Sequence, residues 1–172
     1  MKIVVLGLGN PILGDDSVGL RVVALVRERL AAGAPHADRE ASLPASVEVD
    51  EEYRGGGLRL MERLAGADRA ILVDALICGT YPPGTVLCLG PEDLPTQRTA
   101  SAHDASLATA LRLGRAMGLA MPSDVRIVAV VAEDVLEFGE ECSPAVTAAV
   151  PRAVERVLAE LNRTRRFEDG VT

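Results

Sequence analysis

Aromatic side chains make up only 2% of this 172-residue chain, and tryptophan is absent. The core must therefore be aliphatic, and stacking platforms for single-stranded nucleic acid are poorly supplied. Positive charge is in deficit, with a formal net charge of -7, which disfavours a phosphate backbone as partner. Cysteine is scarce too: Cys78, Cys88 and Cys142 are odd in number and have no CxxC spacing, as expected of a chain kept reduced. No apolar run approaches the roughly 20 residues that span a bilayer. The opening stretch 1–6 has one positive charge and a short apolar run with no cleavage site behind it, and reads as a first strand, not a signal peptide. These absences lead to the expectation of a soluble cytoplasmic protein with neither nucleic acid nor membrane as partner, small enough to act as a monomer.

What is present is 48% hydrophobic and 25% charged, enough apolar material for one compact domain. Short β-branched runs alternate with helical patterns, the signature of an α/β sheet covered by helices. Strands are expected at 2–8, 47–52, 69–76, 85–89 and 125–131. Helices are expected at 16–31, where Val18, Val22, Leu25, Val26 and Leu30 recur at helical spacing, and at 57–64, 101–117 and 144–161. The fourth strand follows the third too closely for a helical crossover and should be antiparallel or at an edge. The fold class is therefore a single three-layer α/β domain: a mostly parallel, five-stranded twisted sheet with one antiparallel or edge strand, and helices on both faces. It is expected to occupy 1–162, with a surface loop insertion at 31–46 and a charged tail at 163–172.

The most informative stretch is Leu6-Gly7-Leu8-Gly9-Asn10-Pro11-Ile12-Leu13-Gly14-Asp15-Asp16, an apolar strand that runs through a glycine turn into two carboxylates at the mouth of a helix. Ile12 occupies the position of the third glycine of a dinucleotide fingerprint, and the Lys-Ser/Thr ending of a P-loop is missing. Two negative charges at a helix start do not hold phosphate; one can cap the helix while the other binds a cation. Asp15 is assigned the cap and Asp16 the free role. Ligands of open α/β sheets collect at the carboxyl ends of strands, where Asp74 interrupts the apolar run Ala70-Ile71-Leu72-Val73. His103 enters with Ser101-Ala102-His103-Asp104 in the first turn of the third helix, where the helix dipole disfavours the imidazolium and leaves a ring nitrogen available. Asp16, Asp74 and His103 form an O,O,N set suited to a divalent metal with open coordination positions. His36 reads as solvated, and the three cysteines as small apolar residues, not nucleophiles.

These residues carry a resemblance. Gly7-Leu8-Gly9-Asn10 with Leu13, Asp15-Asp16 and Gly19 resembles the opening motif of the hydrogenase maturation endopeptidases. Ile71 to Ala75, Ser101-Ala102-His103 with Leu107, and Glu133, Leu136, Gly139, Ser143 and Val146 resemble that family's later segments, in order along nearly the whole chain. The resemblance implies an endopeptidase that removes a C-terminal peptide from the nickel-loaded large-subunit precursor of a nickel-iron hydrogenase. Nickel would be supplied by the precursor and serve as recognition element, engaged by Asp16, Asp74 and His103, and the free enzyme would be metal-free or hold an adventitious divalent ion. The family commonly has Glu where Asp16 stands, a difference that moves the carboxylate by about 1.5 Å. In place of the family's Asp-Gly-Gly-Thr-like segment stands Glu52-Tyr53-Arg54-Gly55-Gly56-Gly57, which makes Glu52, Tyr53 and Arg54 candidate precursor contacts and points to a different hydrogenase class. Two other readings use the same residues: a non-catalytic chaperone that binds nickel or the precursor, and peptidyl-tRNA hydrolase, which Gly7-Leu8-Gly9-Asn10-Pro11 also resembles but whose Arg-His-Asn segment is absent.

Overall fold

The computed structural model describes residues 1–32, 46–50, 53, 58–93 and 102–168, the side chains of 46, 102–106 and 164–168 excepted. The elements follow the order β1 (Lys2–Gly7), a 3-10 turn (Gly14–Ser17), α1 (Val18–Ala32), β2 (Ser46–Asp50), α2 (Leu58–Leu64), β3 (Arg69–Leu76), β4 (Val86–Leu89), α3 (Ala102–Ala116), β5 (Asp124–Val131) and α4 (Pro144–Glu168). The five strands form one sheet in the order β2-β1-β3-β5-β4. All neighbours are parallel except β4, which lies antiparallel to β5 at the edge. The expected fold class holds. Among the described residues no helix is long and apolar enough to cross a membrane.

Strand alternation divides the core in two. Ile3, Val5, Ile71, Val73, Val128 and Val130 face one way and pack with α1 and α4. Val4, Leu6, Ala70, Leu72, Ile127 and Ala129 face the other way and pack with α2 and α3. Every residue of β3 is buried, as its uninterrupted apolar run required. The chain leaves β1 through α1 on one face and returns from β2 through α2 on the other. The direction of winding thus reverses between β1 and β3, and a crevice opens beyond their carboxyl ends.

Three expectations need correction. The first helix does not start at Asp16: a 3-10 turn takes up Gly14–Ser17 before α1 begins at Val18. Its buried side is Val18, Val22, Val23 and Val26, whereas Leu25 is exposed, because α1 is wedged between the sheet and α4 and buries a different stripe. The closing helix does not stop at 161 but runs to Glu168, through the first part of the expected tail 163–172. Polar anchoring continues where the apolar stripe ends: Arg163 pairs with Asp124 at 2.9 Å and with Glu160 at 3.1 Å. The expected loop insertion lies outside the described residues, apart from its ends in α1 and β2.

The amino ends of β3 and β5 are tied to α4 by a buried ion network. Arg69 reaches Asp124 at 2.8 Å and Glu160 at 3.1 Å, and also donates to the Glu160 carbonyl at 2.6 Å. Arg69 and Glu160 are both buried; without Arg69 the Glu160 carboxylate keeps only the more exposed Arg156 and Arg163 as partners, so losing the buried guanidinium is costly. Arg69→Met should lower unfolding free energy by about 3–5 kcal/mol in urea titration, and adding Glu160→Leu should recover much of that loss.

Candidate active site

Close backbone approach builds the mouth of the crevice. A Cβ at Gly19 would collide with the carbonyl oxygens of Leu8 and Val73, and one at Gly7 would meet the Gly19 carbonyl. Gly9 adopts a φ of 131°, and a side chain there would meet the Asp16 carbonyl. These glycines let the 3-10 turn and the start of α1 press against the ends of β1 and β3. The Leu8 N–H then bonds to the Val73 carbonyl at 2.8 Å, continuing the β1–β3 ladder past its last paired residues.

Asp16 is buried in that turn, and its Oδ2 accepts a hydrogen bond from the Asn10 N–H at 2.7 Å. This bond folds the loop after β1 back over the carboxylate. Asp74 is buried in β3 opposite Ala129 of β5, one residue beyond the pairing of Val73 with the last residue of β1. Its Oδ1 accepts the Ala75 N–H at 2.9 Å. Alternation puts Asp74 on the same face as Ala70 and Leu72, the face covered by α2 and α3. His103 is the second residue of α3. Its side chain lies outside the described residues, as do the side chain of Asp104 and the whole of Glu52, Arg54 and Ser101. The structure therefore brings Asp16 and Asp74 to one end of the sheet and sets the α3 backbone at His103 on the face to which Asp74 belongs. Among the described residues no three His, Cys, Asp or Glu groups are arranged to hold a metal ion.

Asp15 does not cap its own helix. The turn has Leu13 at its N-cap with no side-chain cap bond. Asp15 instead reaches across the crevice mouth: its Oδ1 accepts the Ser143 N–H at 2.6 Å, and its Oδ2 accepts the Glu133 N–H at 2.9 Å and the Ser143 hydroxyl at 3.0 Å. A carboxylate beside the start of α4 also meets the positive end of that helix dipole. The assignment of Asp15 to structure stands, but by a long-range tie that local spacing does not reveal.

Tyr53 is buried, and its ring belongs to the cluster of Leu8, Leu60 and Leu64. The Tyr53 side chain is thus packed into the core instead of being displayed. Among the described residues its buried hydroxyl has no hydrogen-bond partner, and burial, aided by the Asp50 charge, pushes its pKa up to about 12. Of the cysteines, Cys142 is buried beside the crevice mouth, where its thiol faces the Gly14 carbonyl at 3.4 Å, while Cys78 and Cys88 are only partly buried.

Comparison with known proteins shows the family and the fold. A family model described as hydrogenase maturation protease matches residues 55–160. The chain belongs to the hydrogenase maturation protease family. It is 33% identical to the hydrogenase 2 maturation protease of Escherichia coli over 168 residues, which is 95% of this chain and 93% of that one. The solved structure of the hydrogenase maturating endopeptidase HybD from E. coli superposes with a TM-score of 0.74 at 32% identity, covering 95% of this chain and 94% of the other. The maturation protease HybD from Thermococcus kodakarensis, at 24% identity and a TM-score of 0.68 over 94% of this chain and 99% of that one, shares the fold. As a hydrogenase maturation protease the protein is a hydrolase of peptide bonds, and the peptidyl-tRNA hydrolase reading falls away.

Two outcomes follow from these side-chain environments. Asp15→Ala should cost on the order of 3 kcal/mol, because it leaves the Glu133 and Ser143 N–H groups without their charged acceptor; a loss of activity at unchanged melting temperature would instead make Asp15 part of the chemistry. Tyr53→Phe should be neutral or stabilising by up to about 1 kcal/mol at neutral pH, since it removes a buried hydroxyl that has no partner among the described residues. A folded-state pKa raised above the unfolded value confers stability that is complete below the unfolded pKa and is lost as pH rises through about 12. Denaturant melts of the wild type should therefore weaken above the ordinary tyrosine range of about 10, and those of Tyr53→Phe should weaken less.

Proposed function

We propose that this maturation protease removes a C-terminal peptide from the nickel-loaded large-subunit precursor of a nickel-iron hydrogenase, and that the precursor's nickel is engaged by Asp16, Asp74 and His103. The observation that carries this reading is the burial of two carboxylates from different elements, Asp16 and Asp74, at the carboxyl end of the sheet where its winding reverses. Carboxylates held away from bulk water attract a divalent cation more strongly than surface carboxylates do. Together with the histidine of α3 they supply two oxygens and one nitrogen, leaving positions for the precursor's own ligands and for a water or the scissile carbonyl.

In this reading the nickel belongs to the substrate and gates its recognition. A precursor without nickel offers nothing for the three side chains to hold, so maturation waits for metal insertion. The Asn10 N–H fixes the Asp16 carboxylate and the Ala75 N–H fixes that of Asp74, so neither has to be ordered when the metal arrives. Bound between them, the metal can polarise the scissile carbonyl or lower the pKa of an attacking water. Glu52 and Arg54 are assigned to contacts with the precursor on either side of the anchored Tyr53.

The test is incubation of the purified protein with large-subunit precursors, with and without inserted nickel, followed by intact-mass analysis. The expected result is loss of a C-terminal peptide only from the nickel-loaded form, and its abolition in His103→Ala with the melting temperature preserved. Unchanged processing by His103→Ala would reject the site. Tight binding of the nickel-loaded form without cleavage would replace the protease with a chaperone.

A further inference from the structure

We propose that the turn after β1 and the loop between β5 and α4 form a rigid docking lip, which seats a precursor segment bearing apolar side chains flanked by lysine or arginine. This inference rests on the precursor-processing function proposed above and names the surface that holds the substrate. The chain has two phenylalanines in all, yet Phe138 is 78% exposed, next to Leu136 at 69%, with Ile12 at 58% on the facing turn. A chain so poor in aromatic residues gains nothing for its core from an exposed Phe, whereas aromatic and large aliphatic side chains are the usual anchors of protein interfaces.

The three side chains are not displayed on slack loops. Leu13 and Phe138 form an antiparallel bridge, and the Gly139 N–H bonds to the Ile12 carbonyl at 3.1 Å. Within the loop the Asp134 carboxylate accepts the N–H groups of Leu136 and Glu137 at 2.6 and 2.7 Å. Asp15 holds both of its ends through Glu133 and Ser143, and Arg21 donates to the Glu140 carbonyl. A surface ordered in advance binds without the entropic cost of ordering a loop.

Charge selects the occupant. Glu133, Glu137, Glu140 and Glu141 are exposed on this loop, and 132–143 contains no lysine or arginine. The loop lines a cleft of about 480 Å³ together with Gly14 and Asp15. An apolar tip set in carboxylates complements apolar side chains set among basic ones. The lip is continuous with the candidate active site, because the turn that presents Ile12 also carries the Asn10 N–H that holds Asp16.

The test measures KM and kcat for nickel-loaded precursor by intact mass, for the wild type and for Leu136→Ser/Phe138→Ser. Both substituted side chains are exposed, so the melting temperature should stay put. The double variant is expected to raise KM about tenfold or more with kcat little changed, and the wild-type KM should climb with ionic strength, less steeply in Glu137→Gln/Glu141→Gln. An unchanged KM in the folded double variant, with the wild type still cleaving, overturns the lip and leaves the proposed function standing. A wild type that binds the precursor without cleaving it overturns the protease; the lip is then judged by sedimentation, where loss of binding in the double variant supports it and retained binding overturns it. A wild type that neither binds nor cleaves overturns both, and a wild-type dimer dispersed by the double variant, with processing intact, reassigns the surface to self-association.

Discussion

The carbonyl oxygens of Leu8 and Val73 occupy the space where a side chain on Gly19 would begin, and the rest of the crevice depends on this approach of helix to sheet. A larger residue would push the start of α1 away from the carboxyl ends of β1 and β3. Asp16 would then retreat from the strand that carries Asp74. Gly7 and Gly9 serve the same approach from the strand side. The glycines of the opening motif are therefore spent on bringing a carboxylate in, whereas a phosphate-binding turn uses its glycines to bring backbone N–H groups out.

Once the helix is seated, Asp15 converts two separate connections into one unit. Its carboxylate bonds to Glu133 and Ser143, so the turn after β1 cannot shift without the loop that starts α4. The two adjacent aspartates divide the work by direction. Asp15 looks across to α4, while Asp16 is bound by the Asn10 N–H beneath the loop after β1. At the opposite end of the sheet Arg69, Glu160 and Asp124 tie α4 to β3 and β5. The closing helix is thus held at both ends, which lets the mouth stay acidic and apolar without being loose.

Much of this was legible in the sequence because it depends on short-range patterns. The apolar run of β3 broken at Asp74, the proximity of β4 to β3 and the helical pattern that begins at 144 each predicted an element that the structure contains. Asp16 and Asp74 were legible as site candidates because strand ends are where an α/β sheet collects ligands. What escaped was set by distant partners. Asp15 was read as a local cap because its acceptor role for Ser143 spans most of the chain. Tyr53 was read as a precursor contact, and its anchoring in the α2–α3 face depends on packing that no local spacing encodes. The helical continuation to Glu168 rests on Arg163 meeting Asp124 of β5, again a pairing between distant segments.

The central claim is that side chains of this enzyme enter the coordination sphere of a metal that the substrate carries. Nickel K-edge X-ray absorption tests it directly, using a nickel-loaded precursor whose scissile bond has been made uncleavable, alone and with one equivalent of the protein. The number of oxygen or nitrogen neighbours at nickel is expected to rise on complex formation, and to rise less when Asp16→Ala/Asp74→Ala replaces the wild type. A nickel spectrum that stays the same in a demonstrated complex would contradict it.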